Sequence, residues 1–250
     1  MSRFIAEADR ELLASHGLDC FEALWQLPLE PVDESNTGRG GQSTVYRLTV
    51  GDQHYFLKRQ SNYLTRSWRY PLGEPTFRRE FRTIELYQRL EIPTLEPVFY
   101  GERRVGSEWR SMLMTRALDE WEDFASFLAR WPQVSELNRK AILLAVAELA
   151  RTLHQSGQIH GCFYPKHIFL RREGEGFTAR VIDLEKSRAS LLGRRDHVHD
   201  LEPLLRRASV LSEAEVGYFV KAYLQQDEGP IVTRWLHDVS ARTRDKKGRE

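Results

Sequence analysis

Two stretches carry side chains whose order suits chemistry on a phosphate. The first is Gly38-Arg39-Gly40-Gly41-Gln42-Ser43, followed by two runs of β-forming residues, the second of which ends in Lys58. Glycine lets the backbone turn tightly and bring bare amides against phosphate oxygens, and an ammonium group beyond it supplies the countercharge. Gly38, Gly40, Gly41, Ser43 and Lys58 are therefore the candidate phosphate-binding residues, with Ser43 standing where G-x-G-x-x-G has its third glycine. The second stretch is His160-Gly161-Cys162-Phe163-Tyr164-Pro165-Lys166-His167-Ile168-Phe169-Leu170, with an echo at Val181-Ile182-Asp183-Leu184-Glu185. It reads as loop, strand, turn and strand, with polar side chains delivered where the strands begin and end. A carboxylate such as Asp183 in that place suits a divalent cation bound beside phosphates. A glycine cluster by itself also reads as a flexible surface turn, and it is Lys58 at the end of a paired strand that favours the phosphate reading.

The elements that must position these residues follow from periodicity. Apolar residues at 4, 5, 8, 12 and 13 predict a first helix capped by Gly17, and a second short helix follows Asp19 until Pro28 stops it. Gly51-Asp52 is a hairpin signal between the strands on either side. Pro75 opens a helix with Phe77, Phe81, Ile84 and Leu90 on one side; Glu80 lies near that stripe within reach of Lys58, and Glu85 competes with it. Residues 92–100 and 109–115 read as strands with a turn region at 101–107, the second strand leading to a hinge at 115–118 whose backbone suits an adenine edge. The acidic run 119–123 opens the next helix, where negative charge suits the dipole. Ile142, Val146, Leu149 and Leu153 mark a helix over 138–156, ended by Gly157. Asp200 is predicted to open a buried helix over 200–208 and to hold the backbone of the 160s loop, and a last helix spans about 212–225.

Composition narrows the class. With 37 Lys and Arg against 36 Asp and Glu, no global field selects nucleic acid. The chain of 250 residues is 41% hydrophobic and 29% charged, which suits a soluble protein of one large domain or two small lobes. Two cysteines, Cys20 and Cys162, lack metal-ligand spacing and fit a reducing compartment. The first residues lack an apolar signal core and no transmembrane segment is evident, so a cytoplasmic location is expected. Arg59, Tyr63, Arg66, Trp68, Arg69, Tyr70, Arg78 and Arg79 interleave base and ring; this suits single-stranded nucleic acid, a phosphorylated sugar, or a solvated loop with packed aromatics. The Asp196-His197-Val198-His199-Asp200 alternation invites a metal reading without any geometry to support it.

Taken in order, the blocks 38–46, 56–58, 77–81, 92–94, 160–170 and 181–184 resemble the lipopolysaccharide core kinases that phosphorylate heptose or Kdo sugars, in their InaA-type branch. The resemblance runs from about residue 33 to residue 224. It implies an α+β, two-lobed protein-kinase-like fold with a β-rich N-lobe at 33–115 and a mainly helical C-lobe at 116–236. Residues 1–32 would be a helical extension, and 237–250 a disordered basic tail able to touch anionic lipid headgroups. It also implies ATP and Mg²⁺ as cofactors and, as partner, a lipopolysaccharide core acceptor at the inner membrane, with no nucleic acid. In such a kinase Lys58 binds the nucleotide phosphates, Glu80 orients it, and Asp183 holds Mg²⁺ with His167 as second ligand. The catalytic loop of these enzymes has the form H-G-D-x-x-x-x-N. Here Cys162 replaces the Asp and His167 the Asn, so two readings stand: an active sugar kinase, and a nucleotide-binding pseudokinase that regulates or scaffolds cell-envelope biosynthesis.

Overall fold

Residues that alternate between core and solvent dominate the first part of the chain, and most of its strands fold into a six-stranded antiparallel sheet, with Leu64–Thr65 and Glu74–Pro75 pairing separately. The computed structural model describes residues 3–247 apart from 39, 67–69 and 72. Its elements group into two compact units, residues 1–86 with 95–119, and residues 87–94 with 120–250.

The first unit contains β1 (Arg3–Ile5), α1 (Glu7–Ser15), α2 (Phe21–Gln26), β2 (Asn36–Gly38), β3 (Gly41–Val50), β4 (Gln53–Ser61), β5 (Leu64–Thr65) and β6 (Glu74–Pro75). Most of α3 (Thr76–Arg89), β7 (Pro97–Val105) and β8 (Glu108–Arg116) complete it. Six strands pair in the order β1-β7-β8-β4-β3-β2. β3 and β4 pair from Val50↔Gln53 to Gln42↔Ser61 around Gly51, whose φ of 61° is the left-handed backbone this tight turn requires. On one face Leu48, Tyr55, Leu57, Phe99, Met112 and Met114 pack with Leu13 of α1 and Leu24 of α2. Asp9 fastens α1 to the sheet: it is buried and accepts from the Tyr55 hydroxyl (2.8 Å) and the Arg116 guanidinium (2.7 Å). Residues 1–32 therefore belong to the same unit as the sheet. Phe81 of α3 stacks on Tyr100 of β7, with ring centroids 4.5 Å apart.

Several expected boundaries shift. Phe4 and Ile5 lie in β1, paired with Tyr100 and Phe99, and the helix begins only at Glu7. Two adjacent apolar residues fit either period, and the open edge of β7 decides between them. The strand expected from Ile92 starts at Pro97, and β7 and β8 run on to a turn at Gly106-Ser107.

The second unit holds β9 (Glu122–Asp123), α4 (Phe124–Ala129), α5 (Glu136–Gln155), β10 (Gln158–Ile159), β11 (Ile168–Glu173), β12 (Gly176–Val181), β13 (Arg188–Ala189), α6 (Arg194–Arg207), α7 (Glu213–Leu224) and α8 (Pro230–Lys247). Helix α5 starts where the Ser135 side chain accepts the Asn138 amide, and buries Ile142, Val146, Leu149 and Leu153. A capping box, Ser212 with Glu215, starts α7. β11 and β12 form a hairpin that pairs Ile168 with Val181, and β9 adds to its other edge. The acidic run thus supplies a short strand, and Asp123 caps α4 by accepting the Ser126 amide. Helix α6 begins at Arg194, six residues before the start expected at Asp200, which its polar first turn, without apolar periodicity, does not mark in the sequence. The backbone expected to be disordered from 237 is helical to Lys247, since α8 packs on α6 and α7 through Val232, Trp235 and Val239. The basic side chains at 242–249 lie outside the described residues. Among the described residues no helix is long and apolar enough to cross a membrane.

Candidate functional site

In the first unit the glycine-rich stretch is the β2–β3 hairpin. Gly40 turns it with φ 78°, a conformation that side chains with a Cβ rarely adopt. Gly41 is fixed by packing, because a Cβ there would collide with the Ser61 carbonyl oxygen and the Asn62 backbone. A Cβ at Gly38 would meet Tyr63 and the Asn36 side chain at ordinary contact distance, and Ser43 pairs with Asn36 across the hairpin and with Gln60 of β4. Arg39 lies outside the described residues. Lys58 sits on β4, flanked by Val45 of β3 and Leu113 of β8. Its ammonium donates to Glu80 Oε1 of α3 at 2.6 Å, and the Glu80 carboxylate is 5% exposed. Glu85, the competing carboxylate, is exposed. A lysine held by one buried carboxylate keeps its remaining N–H donors directed.

At the expected hinge, the Ala117 amide donates to the His54 carbonyl and the Arg116 amide to Glu96, so these two donors are engaged within the unit. The basic and aromatic stretch is internally committed as well. Arg78 pairs with Glu102, Arg59 donates to the Leu27 carbonyl and lies over Tyr46, and Tyr63 is buried. Trp68 and Arg69 lie outside the described residues.

In the second unit the 160s loop closes on itself through two histidines. The His160 Nε2–H donates to the Ile182 carbonyl (2.9 Å), which leaves Nδ1 to accept the Cys162 amide (3.2 Å). Burial holds the His160 pKa below the ordinary histidine value, consistent with this neutral form. His167 Nδ1–H donates to the Cys162 carbonyl (2.9 Å). Its Nε2 therefore presents a lone pair, and that atom lies 3.2 Å from Asp183 Oδ2. Burial again lowers the His167 pKa, so an unprotonated nitrogen and a carboxylate oxygen face each other. Two acceptors at that separation are stabilised by a cation between or beside them. Asp183 itself has left-handed backbone (φ 62°, ψ 62°) just beyond β12, and its carboxylate is 48% exposed. A non-glycine residue held there stores strain, which clusters at functional sites.

Asp200 organises this loop, as its sequence position predicts. It accepts the His160 amide (2.8 Å) on one oxygen and the Gly161 amide (2.7 Å) on the other, and His154 Nε2–H of α5 donates to it at 3.2 Å. Burial pushes its pKa up, but these donors outweigh burial and hold it below the usual carboxylate range. His154 in turn accepts from the Tyr223 hydroxyl (2.8 Å). Gly161 has φ 77°, and a Cβ there would lie 2.8 Å from the Lys186 carbonyl oxygen.

Cys162 is 5% exposed, and its sulfur meets the Lys186 ammonium, a contact that raises the lysine pKa. Lys186 escapes the sequence reading; its only signal is its place three residues after Asp183. Asp196 serves no metal: it takes the Leu191 and Leu192 amides and the Arg188 guanidinium, while His197 stacks on His154. Among the described residues no group of three or more His, Cys, Asp or Glu could hold an ion. The structure thus brings together Lys58 with Glu80, and Cys162 with His167 and Asp183.

The family model for the lipopolysaccharide kinase (Kdo/WaaP) family matches residues 22–223. The chain belongs to that family. It is 34% identical over 216 residues to Protein InaA of Escherichia coli (strain K12), a match that covers 82% of this chain and 95% of that protein. Its fold is similar to that of the solved structure "WaaP in complex with acyl carrier protein", with a TM-score of 0.72, 23% identity, and coverage of 100% of this chain and 99% of that one. The α+β kinase-like architecture, an antiparallel sheet followed by a mostly helical part, is the same in both.

Proposed function

We propose that this member of the lipopolysaccharide kinase family transfers the γ-phosphoryl group of ATP to a hydroxyl of a heptose or Kdo sugar of the lipopolysaccharide inner core. The observation that carries the reading is the Lys58–Glu80 ion pair at 2.6 Å, since kinases require this pair in place to hold the nucleotide phosphates. Lys58 neutralises phosphate charge while Glu80 fixes its direction. The backbone amides around Gly40 and Gly41 would bind phosphate oxygens.

Asp183 and His167 would hold Mg²⁺. The fit rests on His167 Nε2 and the Asp183 carboxylate, two metal-ligating groups whose atoms lie 3.2 Å apart, with His167 Nδ1 engaged by the Cys162 carbonyl. Bound there, Mg²⁺ would neutralise charge that develops on the transferred phosphoryl group. His160 ties Ile182, next to Asp183, to the loop that bears Cys162, and so fixes the distance between cation site and loop. In phosphoryl transfer the acceptor hydroxyl needs orientation more than early deprotonation, because the transition state is loose. Loss of a general base costs about 10²–10⁴-fold, and positioning supplies the rest. Here Cys162 is the residue at that place, with Lys186 against its sulfur.

That contact also favours a second reading. A buried thiol held by an ammonium offers the acceptor no carboxylate, as expected of a nucleotide-binding pseudokinase. Phosphate incorporation into purified core lipopolysaccharide separates the two: a kinase exceeds its Asp183→Asn blank, and a pseudokinase does not.

A further inference from the structure

The second unit holds a cavity of about 370 Å³, a volume in the range of ligand sites, and part of the 160s loop lines it. The loop contributes Pro165 and Lys166, which stand between Cys162 and His167. Leu128 comes from α4, and Arg207, Ser209 and Val210 come from the end of α6 and the residues after it. Two cations from separate elements thus converge on one concave site. Among the described residues neither Lys166 nor Arg207 has a carboxylate partner. The carboxylates nearby in sequence are engaged elsewhere: Glu202 by Arg206, Glu122 by Arg130, and Asp123 by the Ser126 amide that it caps. Lys166 is exposed. Arg207 is held by stacking, with its Cζ 4.1 Å from the centroid of the Tyr164 ring, and that ring lies 5.3 Å from the ring of His167. A guanidinium stacked on an aromatic face keeps its in-plane N–H donors directed and fits an oxyanion with two of them at once. Leu128, Pro165 and Val210 add apolar surface, which suits the C–H face of a sugar ring.

We propose that this cavity is an anion subsite for the acceptor, in which Lys166 and Arg207 bind a carboxylate or phosphate carried by the acceptor sugar. The inference rests on the phosphotransferase reading for the identity of the ligand as acceptor, and it narrows that acceptor to an acidic sugar. A neutral sugar would leave both cations without a counter-ion. Because Lys166 adjoins His167 and Tyr164 joins Arg207 to the same loop, an anion held here is fixed relative to Cys162 and Asp183.

The test is titration calorimetry of the full chain, without nucleotide, against deacylated core oligosaccharide: intact, dephosphorylated, carboxyl-reduced, and treated both ways. The parent should bind the intact form, and more weakly as salt rises. Lys166→Gln with Arg207→Gln should lower that affinity at least about tenfold, whereas Lys166→Arg with Arg207→Lys, which keeps both charges, should stay within about threefold. Both side chains are exposed, so both double variants should melt with the parent. Affinity lost on dephosphorylation identifies the anion as phosphate, and affinity lost on carboxyl reduction identifies it as carboxylate. A glutamine double variant that binds like the parent overturns the inference, as does a parent that binds no form or binds all four equally. Equal losses in the two double variants would make the role one of packing and overturn it as well. The phosphotransferase reading fails separately: binding of this kind without phosphate incorporation above the Asp183→Asn blank would belong to a pseudokinase that keeps the subsite.

Discussion

Replacing Asp200 by alanine should unfold the 160s loop well before it touches chemistry. The carboxylate is 1% exposed and satisfies three donors: the amides of His160 and Gly161 and the imidazole of His154. Alanine leaves all three without this acceptor. A buried donor deprived of its partner costs about 1–3 kcal/mol, so three sharing one partly adjustable site should cost about 3–6 kcal/mol. For a chain of this size that corresponds to a fall in Tm of roughly 6–24 °C. Asn keeps one acceptor but turns an NH2 group toward the other donors, and should fall between parent and alanine. Differential scanning calorimetry of the three proteins, with circular dichroism at 25 °C to verify folding, measures the series. Activity should fall in step with Tm. An Asp200→Ala protein that melts within about 2 °C of the parent would refute the reasoning; parental stability with lost activity would give Asp200 a direct catalytic role.

Three other outcomes follow from the same structure. Lys58→Met should weaken ATP binding by tenfold or more in titration calorimetry and Asp183→Asn should abolish its Mg²⁺ dependence, whereas parental affinity in both contradicts the kinase assignment. Gly161→Ala, with its Cβ 2.8 Å from the Lys186 carbonyl and φ at 77°, should lower Tm by several degrees, and an unchanged Tm would mean the loop adjusts freely. His160, His167 and His197 are held below the ordinary histidine value chiefly by burial, His197 at about 4. The unfolded chain therefore binds more protons below about pH 6.5, and stability should be lost as pH falls from there toward 4; a Tm that is flat or rises between pH 7 and 5 would exclude this.

Much of the site could be read from the sequence because its markers are local. The hairpin at Gly51, the helix over the 140s and the loop from His160 each rest on turn residues or periodicity within a few positions. The strand expected to end in Lys58 instead runs on to Ser61, because β3 and β8 continue to pair with it. Glu80 could be narrowed to two candidates, and burial chose between them. What escaped reading depends on distant partners. Phe4 and Ile5 are a strand only because β7 offers an edge, Lys186 matters only because Gly161 lets its backbone approach, and His154 matters through Asp200, 46 residues away. The helical course of residues 230–247 likewise comes from packing on α6 and α7, which charge content cannot reveal.

The central claim is phosphoryl transfer by a loop in which Cys162 replaces a carboxylate. It is tested most directly by incorporation of γ-phosphate from labelled ATP into purified core lipopolysaccharide, with Asp183→Asn as blank. The parent should transfer slowly but above the blank, Cys162→Ala should be close to it, and Cys162→Asp should be faster. If neither the parent nor Cys162→Asp exceeds the blank across several core acceptors, this chain is not a core sugar kinase.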